Sequence, residues 1–141
     1  MTENIQAKEI VDKMYSLDSF SQWLGIEVLE VSKGFCKLRL KVRKEMLNGF
    51  SILHGGVTFS LADTALAFAS NTQGKISVST EVSISFIEQV HENDILTAVV
   101  QEANILERTG IYFITISNQN NINVALLKGT VFRTNKDWTN K

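Results

Sequence analysis

The sequence contains no proline and one cysteine among its 141 residues. Its turns must therefore depend on glycine, asparagine and aspartate, which tolerate turn conformations. Because Cys36 stands alone, the chain can form neither an internal disulfide nor a multi-cysteine metal site, which favours a reducing compartment. The two histidines, His54 and His91, lie far apart without ligand spacing, and no phosphate-binding or dinucleotide motif is present. We therefore expect no metal ion and no cofactor.

Strong charge of one sign and long apolar runs are also absent. The formal net charge is −1, so no basic field attracts nucleic acid. No apolar stretch approaches the roughly 20 residues that span a bilayer. The first 20 residues also lack the continuous apolar core of a signal peptide. These features predict a cytoplasmic protein that binds neither nucleic acid nor a membrane.

Helical patterns occur in two parts of the chain, whose length suits one domain over residues 1–141. Apolar side chains recur at near-helical spacing before Gly25, which predicts an N-terminal helical segment (1–24) with a break near residues 16–19. In residues 55–72, small or apolar side chains occur in nearly every direction around a helix. Since a helix without a wide polar face is buried, we expect this segment to form a central helix.

The remaining segments alternate apolar and polar residues in the manner of β-strands. Residues 26–43 predict two strands joined at Lys33-Gly34, and alternate residues from Lys37 to Arg43 form a basic stripe on one face of the second strand. We interpret the basic stripe as a solvated outer face, with an anion-binding surface as the alternative. Four more strands are predicted for residues 76–88, 94–106, 109–119 and 124–133.

Consecutive strands with short turns imply an antiparallel meander. Five or six such strands must bury one apolar face, and a helix that is apolar all round is the natural element to cover it. The sequence therefore predicts an α+β fold in which a curved antiparallel sheet of five to six strands wraps around one long central helix.

Asp63 is the single acid in residues 47–74. Aspartate is a poor helix former, and burying its charge without a partner costs several kcal/mol. Three explanations are open at this point: catalysis, a helix cap, or a structural ion pair with a cation from the sheet. Catalysis is one of these because, if the helix starts at Gly55 or Gly56, its unpaired N–H groups and its dipole would stabilise an oxyanion.

The spacing of these groups suggests that one chain does not complete the site. Asp63 lies about 12 Å along the helix from Gly55, at a rise of 1.5 Å per residue. An aspartate side chain is too short to reach back over that distance to a carbonyl held at Gly55. A two-fold partner whose helix runs antiparallel could supply its own Asp63, which would give two equivalent sites.

The motifs in this segment occur together at characteristic intervals. Asn48-Gly49 is followed by His54-Gly55-Gly56, then by "FSLADTA" at residues 59–65 and "ASNTQG" at residues 69–74. This combination resembles the hotdog-fold thioesterases of the PaaI-like family, the phenylacetate-pathway group. The strand-rich remainder is similar as well, so the resemblance covers most of the chain.

The resemblance implies an acyl-CoA thioesterase that forms a free acid and coenzyme A without a cofactor. Aryl- or hydroxyphenylacetyl-CoA is among the substrates that it suggests. The alternatives are a thioesterase that acts on an acyl carrier protein and a non-catalytic hotdog module that binds acyl-CoA. The resemblance also implies at least a homodimer, and commonly a homotetramer, with active sites between subunits.

The resemblance assigns roles to particular residues. Asp63 matches the acid that attacks the thioester directly or activates a water molecule. The backbone N–H of Gly55 and the side-chain amide of Asn48 match the groups that hold the thioester carbonyl, and Ser79 matches a hydroxyl that orients water. The further residues that it places beside the substrate are His54, Gly56 and Thr80.

The chain departs from the family pattern after the "SISF" strand. Many relatives carry Arg-Pro there, whereas this chain has Glu88-Gln89. If that arginine holds the phosphates of coenzyme A in the relatives, this protein must use other cations. The sequence offers Lys75, Arg108 and the basic stripe for that role.

Overall fold

A computed structural model describes residues 2–138. Two helices come first, a longer helix lies in the middle of the sequence, and strands make up most of the rest. The helices are α1 (Thr2–Ser16), α2 (Ser19–Leu24) and α3 (Gly55–Asn71), with a short 3₁₀ turn at Lys44–Met46. The strands are β1 (Glu27–Ser32), β2 (Phe35–Lys41), β3 (Lys75–Phe86), β4 (Ile95–Ile105), β5 (Thr109–Ser117) and β6 (Asn123–Asp137).

The N-terminal helical segment divides where the sequence predicts a break. Asp18 caps α2, since its Oδ1 accepts a hydrogen bond from the Ser21 N–H at 3.0 Å. Gly25 ends α2 in the left-handed conformation, with φ 76°, which glycine adopts without a steric cost. The Ser21 hydroxyl also lies 3.3 Å from the hydroxyl of Thr64, so α2 contacts α3.

In residues 2–138 the strands form one six-stranded sheet in the order β1-β2-β4-β5-β6-β3, and every neighbouring pair is antiparallel. Helix α3 packs against strands β2 to β6 on one face of this sheet. The predicted α+β architecture, a sheet around one long helix, is confirmed, and α3 ends one residue before its predicted end.

The position of β3 differs from the prediction. Strands β4, β5 and β6 form a meander, but β3 pairs with β6, and β4 pairs with β2, so the predicted meander is wrong for β3. The reason is the connection over residues 87–94, which crosses the N-terminal end of α3 instead of making a tight turn. Leu53 N–H donates to Val90 O at 2.7 Å, and Asn93 N–H donates to Val42 O at 2.9 Å, which fixes this crossing.

Strand β2 confirms the interpretation of the basic stripe as an outer face. Leu38 and Leu40 are fully buried under α3, as is Cys36, where burial raises the pKa of the thiol to about 12. The stripe residues on β2 face outwards, and Arg39 pairs with Glu27 of the neighbouring strand at 2.6 Å. A surface ion pair of this kind contributes little to stability, so the buried face holds the strand in place. Arg43 lies after β2, and its guanidinium donates to the backbone carbonyls of Trp23 and Leu24.

Helix α3 lies close to the sheet because β6 carries a glycine beneath it. Leu66 of α3 is fully buried, and a Cβ atom placed on Gly129 would lie closer to the Leu66 methyl groups than side-chain atoms ever approach one another. The absence of a side chain at Gly129 therefore sets the distance between α3 and the sheet, and with it the position of Asp63.

We predict that Gly129→Ala destabilises the protein by about 1–3 kcal/mol, because a well-packed core has no room for the extra methyl group. Chemical denaturation measures the change. Gly49→Ala is the matched control, since nothing lies within 4 Å of a Cβ at Gly49. Equal stability of the two variants would contradict this account of the helix–sheet contact.

Candidate active site

The N-terminus of α3 presents a free backbone donor. His54 is the N-cap, and its Nδ1 accepts a hydrogen bond from the Gly56 N–H at 3.0 Å. The Gly55 N–H has no hydrogen-bond partner within residues 2–138. Gly55 therefore offers its N–H to a ligand, whereas His54 and Gly56 satisfy each other.

The loop before α3 orients the side chain of Asn48. The Asn48 Oδ1 accepts hydrogen bonds from the N–H groups of Phe50 at 2.8 Å and Ile52 at 3.5 Å. The bridge between Leu47 and Leu53 closes the loop. Because the carbonyl end of the amide is used, the Nδ2 group remains as a donor, with no partner in the described part of the chain.

Asn48 and Gly55 line the same groove, which we call the amide groove and which has a volume of about 340 Å³. Phe86 lies against Gly55, where a Cβ would meet its ring at 3.0 Å, so glycine is needed for this close approach. The other lining residues are Ile52, Leu53, Thr58, Ile87, Glu88, Gln89, Val90 and Val124.

Asp63 lies on α3 two turns after Gly55, half-buried and outside the amide groove. Burial raises the pKa of its carboxyl group above the usual value. Helix α3 begins at Gly55, so Asp63 is not a helix cap. Its carboxylate also makes no ion pair or hydrogen bond with any residue from 2 to 138, so the structural ion pair finds no support.

Asp63 borders a second groove of about 270 Å³, the carboxylate groove. Ser79 of β3 also lines it, so the exposed Ser79 shares a groove with Asp63. The other lining residues are Met14, Leu66, Ala67, Asn71, Ser77, Val78 and Val131.

A β-bulge separates Ser79 from Thr80. Ser79 pairs with Val131 and Glu81 pairs with Thr130, which leaves Thr80 as the extra residue of β3. The Thr80 hydroxyl donates to the backbone carbonyl of Thr130 at 3.2 Å, and Thr80 lines neither groove. Beside the bulge, Ser79 therefore lies on the carboxylate groove, whereas the Thr80 hydroxyl is used within the sheet.

One chain therefore carries two separate grooves of different chemistry, each of which would be a half-site if two subunits shared the active site. The amide groove holds the donors, Asn48 and Gly55, and the carboxylate groove holds Asp63 and Ser79. The residues that line the two grooves do not overlap, which agrees with the separation of about 12 Å along α3. Several residues that line the grooves, such as Met14 of α1 and Val124 of β6, belong to no sequence motif. Only the fold brings these distant elements together.

Comparison with known proteins decides the family. The profile of the thioesterase superfamily matches residues 50–125, which is more than half of the chain. The chain belongs to the thioesterase superfamily. This thioesterase is 40% identical over 120 residues to the Escherichia coli acyl-coenzyme A thioesterase PaaI. The aligned residues cover 85% of the chain and 86% of the relative. The expectation of a thioester hydrolase is confirmed.

The structural comparison agrees with the sequence comparison. The E. coli PaaI protein from the phenylacetic acid degradation operon superposes with a TM-score of 0.93 and 36% identity, covering 95% of this thioesterase and 97% of PaaI. A hypothetical thioesterase from Streptococcus pneumoniae, solved with coenzyme A, superposes with a TM-score of 0.83 and 25% identity, covering 89% and 98%. The hotdog fold and the PaaI-like relationship are confirmed.

Charged and metal-binding groups complete the description of the site. Of the cations expected near phosphates, Lys75 pairs with Asp137 at 2.9 Å and Arg108 donates to Asn135. Neither groove is lined by a lysine or an arginine of the described chain. Within residues 2–138, no three His, Cys, Asp or Glu side chains cluster as metal ligands would. None of the described helices is long and apolar enough to cross a bilayer.

We predict that Asp63→Asn raises the thermal unfolding midpoint at neutral pH. Burial raises the pKa of Asp63 in the folded protein, so ionisation at higher pH costs folding free energy. This cost disappears as the pH falls through the raised pKa to below the unfolded value. The advantage of the variant should therefore shrink in a series of melting curves recorded from pH 7 towards pH 4. A midpoint of the variant below wild type at pH 7 would contradict this.

Proposed function

We propose that this thioesterase is a cytoplasmic enzyme that hydrolyses acyl-CoA to a free acid and coenzyme A, at sites shared between two subunits. The observation that carries the proposal is the pair of half-sites: oxyanion donors in one groove and an unpaired carboxylate in another. The likeness to PaaI and to a thioesterase solved with coenzyme A supports the choice of substrate.

In the proposed reaction, the thioester carbonyl oxygen accepts hydrogen bonds from the Gly55 N–H and the Asn48 amide. Asp63 either removes a proton from a water that attacks the carbonyl carbon, or attacks it directly to form an anhydride that water then hydrolyses. The donors stabilise the negative charge that develops on the oxygen. Collapse of the intermediate breaks the carbon–sulfur bond, and the departing thiolate takes up a proton.

The Ser79 hydroxyl has a supporting role in this scheme. It lies in the carboxylate groove with Asp63 and can hold the attacking water by a hydrogen bond. His54 supports the opposite half-site by fixing the first turn of α3, and Gly56 contributes through the same contact. Thr80 has an indirect role, because the hydrogen bond from its hydroxyl to the Thr130 carbonyl lies beside the bulge in β3.

Two surfaces support the proposed assembly. Strand β3 is an edge of the sheet beside α3, and Phe86 on it is 57% exposed although it lies against Gly55. Pairing of two β3 edges would complete the hydrogen bonding of both strands and bring two α3 helices together. The outer face of the sheet also exposes Phe113 and Leu126, at 45% and 44%, which supports association of two dimers into a tetramer.

We predict that Asp63→Asn lowers the turnover of acyl-CoA at least about a hundredfold, the usual scale for a general base or nucleophile. A panel of aryl and aliphatic acyl-CoA esters, followed by thiol release, measures the rate and finds the preferred acyl group. Asp12→Asn is the control, because Asp12 lies on the exposed surface of α1 in a pair with Lys8.

Each result of this assay has a distinct meaning. Turnover of the Asp63→Asn variant near that of wild type would overturn the role of Asp63. Absence of thiol release from wild type, with binding retained, would favour the acyl-CoA-binding module. Rapid cleavage of acylated carrier protein together with no cleavage of acyl-CoA would favour the carrier-protein thioesterase.

A further inference from the structure

Of the described residues that line the amide groove, Glu88 is the only one with an ionisable side chain. The groove also holds the Gly55 N–H and the Asn48 amide, which stabilise an oxyanion in the proposed reaction. We propose that Glu88 is a specificity-determining residue that accepts a hydrogen bond from an N–H or O–H group of the substrate and keeps anionic groups out of the groove. The inference rests on the proposed function and adds the chemistry of the substrate next to the thioester.

The backbone on both sides of Glu88 is fixed, so the residue stays beside the groove. Ile87 N–H donates to Val124 O at 2.8 Å, and Leu53 N–H donates to Val90 O at 2.7 Å. Glu88 is exposed, and its carboxylate forms no ion pair or hydrogen bond within residues 2–138. A charged acceptor is therefore held at the groove with a hydrogen-bonding capacity that the described chain does not use.

The Glu88 carboxylate conflicts with the oxyanion unless the substrate supplies a donor. Like charges in one groove repel each other, and the repulsion grows as a bound thioester displaces water. A carboxylate that loses water without gaining a hydrogen bond also costs binding free energy. An N–H or O–H donor of the substrate lowers both costs, because it satisfies the carboxylate and offsets part of its charge. A phosphate or carboxylate of the substrate would increase both.

The pantetheine arm of coenzyme A carries such a donor close to the thioester. Its first amide N–H lies two carbons from the thioester sulfur, whereas its phosphates lie at the far end of the arm. Most of the other side chains in the groove are apolar and suit the methylene groups of the arm. These are Ile52, Leu53, Phe86, Ile87, Val90 and Val124. A hydroxyl or amino group on the acyl part is the other source of the same chemistry.

Three thioesters of phenylacetic acid that differ in the thiol test the inference. N-acetylcysteamine carries the amide N–H at the position found in coenzyme A, butanethiol carries no polar group, and 3-mercaptopropionate carries a carboxylate two carbons from the sulfur. We expect the wild-type kcat/KM, measured by thiol release, to fall in that order by at least about fivefold at each step. The first step reflects a hydrogen bond to a charged group, and the second reflects repulsion by Glu88.

Charge substitution at Glu88 shows whether this order depends on the carboxylate. Glu88→Gln keeps the shape and removes the charge, so the preference for the N-acetylcysteamine ester over the butanethiol ester should fall at least about threefold. Glu88→Lys should make the 3-mercaptopropionate ester better than the butanethiol ester, because an ammonium attracts the carboxylate. A merely structural defect would lower all three rates together and leave their order unchanged.

Glu92 provides the matched control. It is exposed on the same connection, residues 87–94, and lines neither groove. Glu92→Gln and Glu92→Lys should therefore leave the order of the three esters as in wild type.

A change in the acyl part distinguishes the two sources of the donor. Replacing phenylacetyl by 4-hydroxyphenylacetyl on butanethiol adds a hydroxyl to the acyl part alone. If Glu88 binds the acyl part, this hydroxyl raises kcat/KM in wild type, and the gain disappears in Glu88→Gln. A gain from the amide N–H that disappears in Glu88→Gln instead assigns Glu88 to the pantetheine arm.

The outcomes separate the inference from the proposed function. Equal rates for all of these esters in wild type, or an order that persists in both Glu88 variants, would overturn the inference and leave acyl-CoA hydrolysis intact. Absence of thiol release from every ester and from acyl-CoA would overturn the proposed function. The uncleaved esters then serve as ligands, and calorimetry of their binding to wild type and to Glu88→Gln tests Glu88 by the same order.

Discussion

The length of α3 between Gly55 and Asp63 is the constraint on which the site depends. Two turns of helix separate a backbone donor from a carboxylate by about 12 Å, and no rotamer of aspartate spans that distance. The sheet cannot shorten it, because α3 is held along its length by buried side chains and lies close against Gly129. In the proposed reaction a thioester therefore meets the two groups from different chains, which would make assembly part of the chemistry.

The proposed site also gives a reason why the half-buried carboxylate of Asp63 has no cationic partner among residues 2–138. An ion pair would hold Asp63 ionised but would also occupy the carboxylate that acts on water or on the thioester in the proposed reaction. In the described chain Asp63 has no such partner, and burial raises its pKa, which makes it a stronger base than an exposed aspartate.

Much of this fold could be predicted from local patterns. The all-round apolar segment predicted α3, and strict alternation predicted β2 with its buried and solvated faces. The place of β3 could not be predicted, because its pairing with β6 depends on a connection that crosses the end of α3 and carries no turn motif. The motif residues Asn48, Gly55 and Asp63 were found from the sequence, whereas groove walls such as Met14 were not, because distant elements supply them.

We propose that each active site uses Asn48 and Gly55 of one subunit with Asp63 of the partner subunit. The most direct measurement is complementation between two inactive variants, Asp63→Ala and Asn48→Ala, mixed one to one after dissociation and reassembly. Half of the dimers are then mixed, and each has one site with both native residues, so activity should recover to about a quarter of wild type. No recovery, with subunit exchange verified by mass, would contradict the shared site.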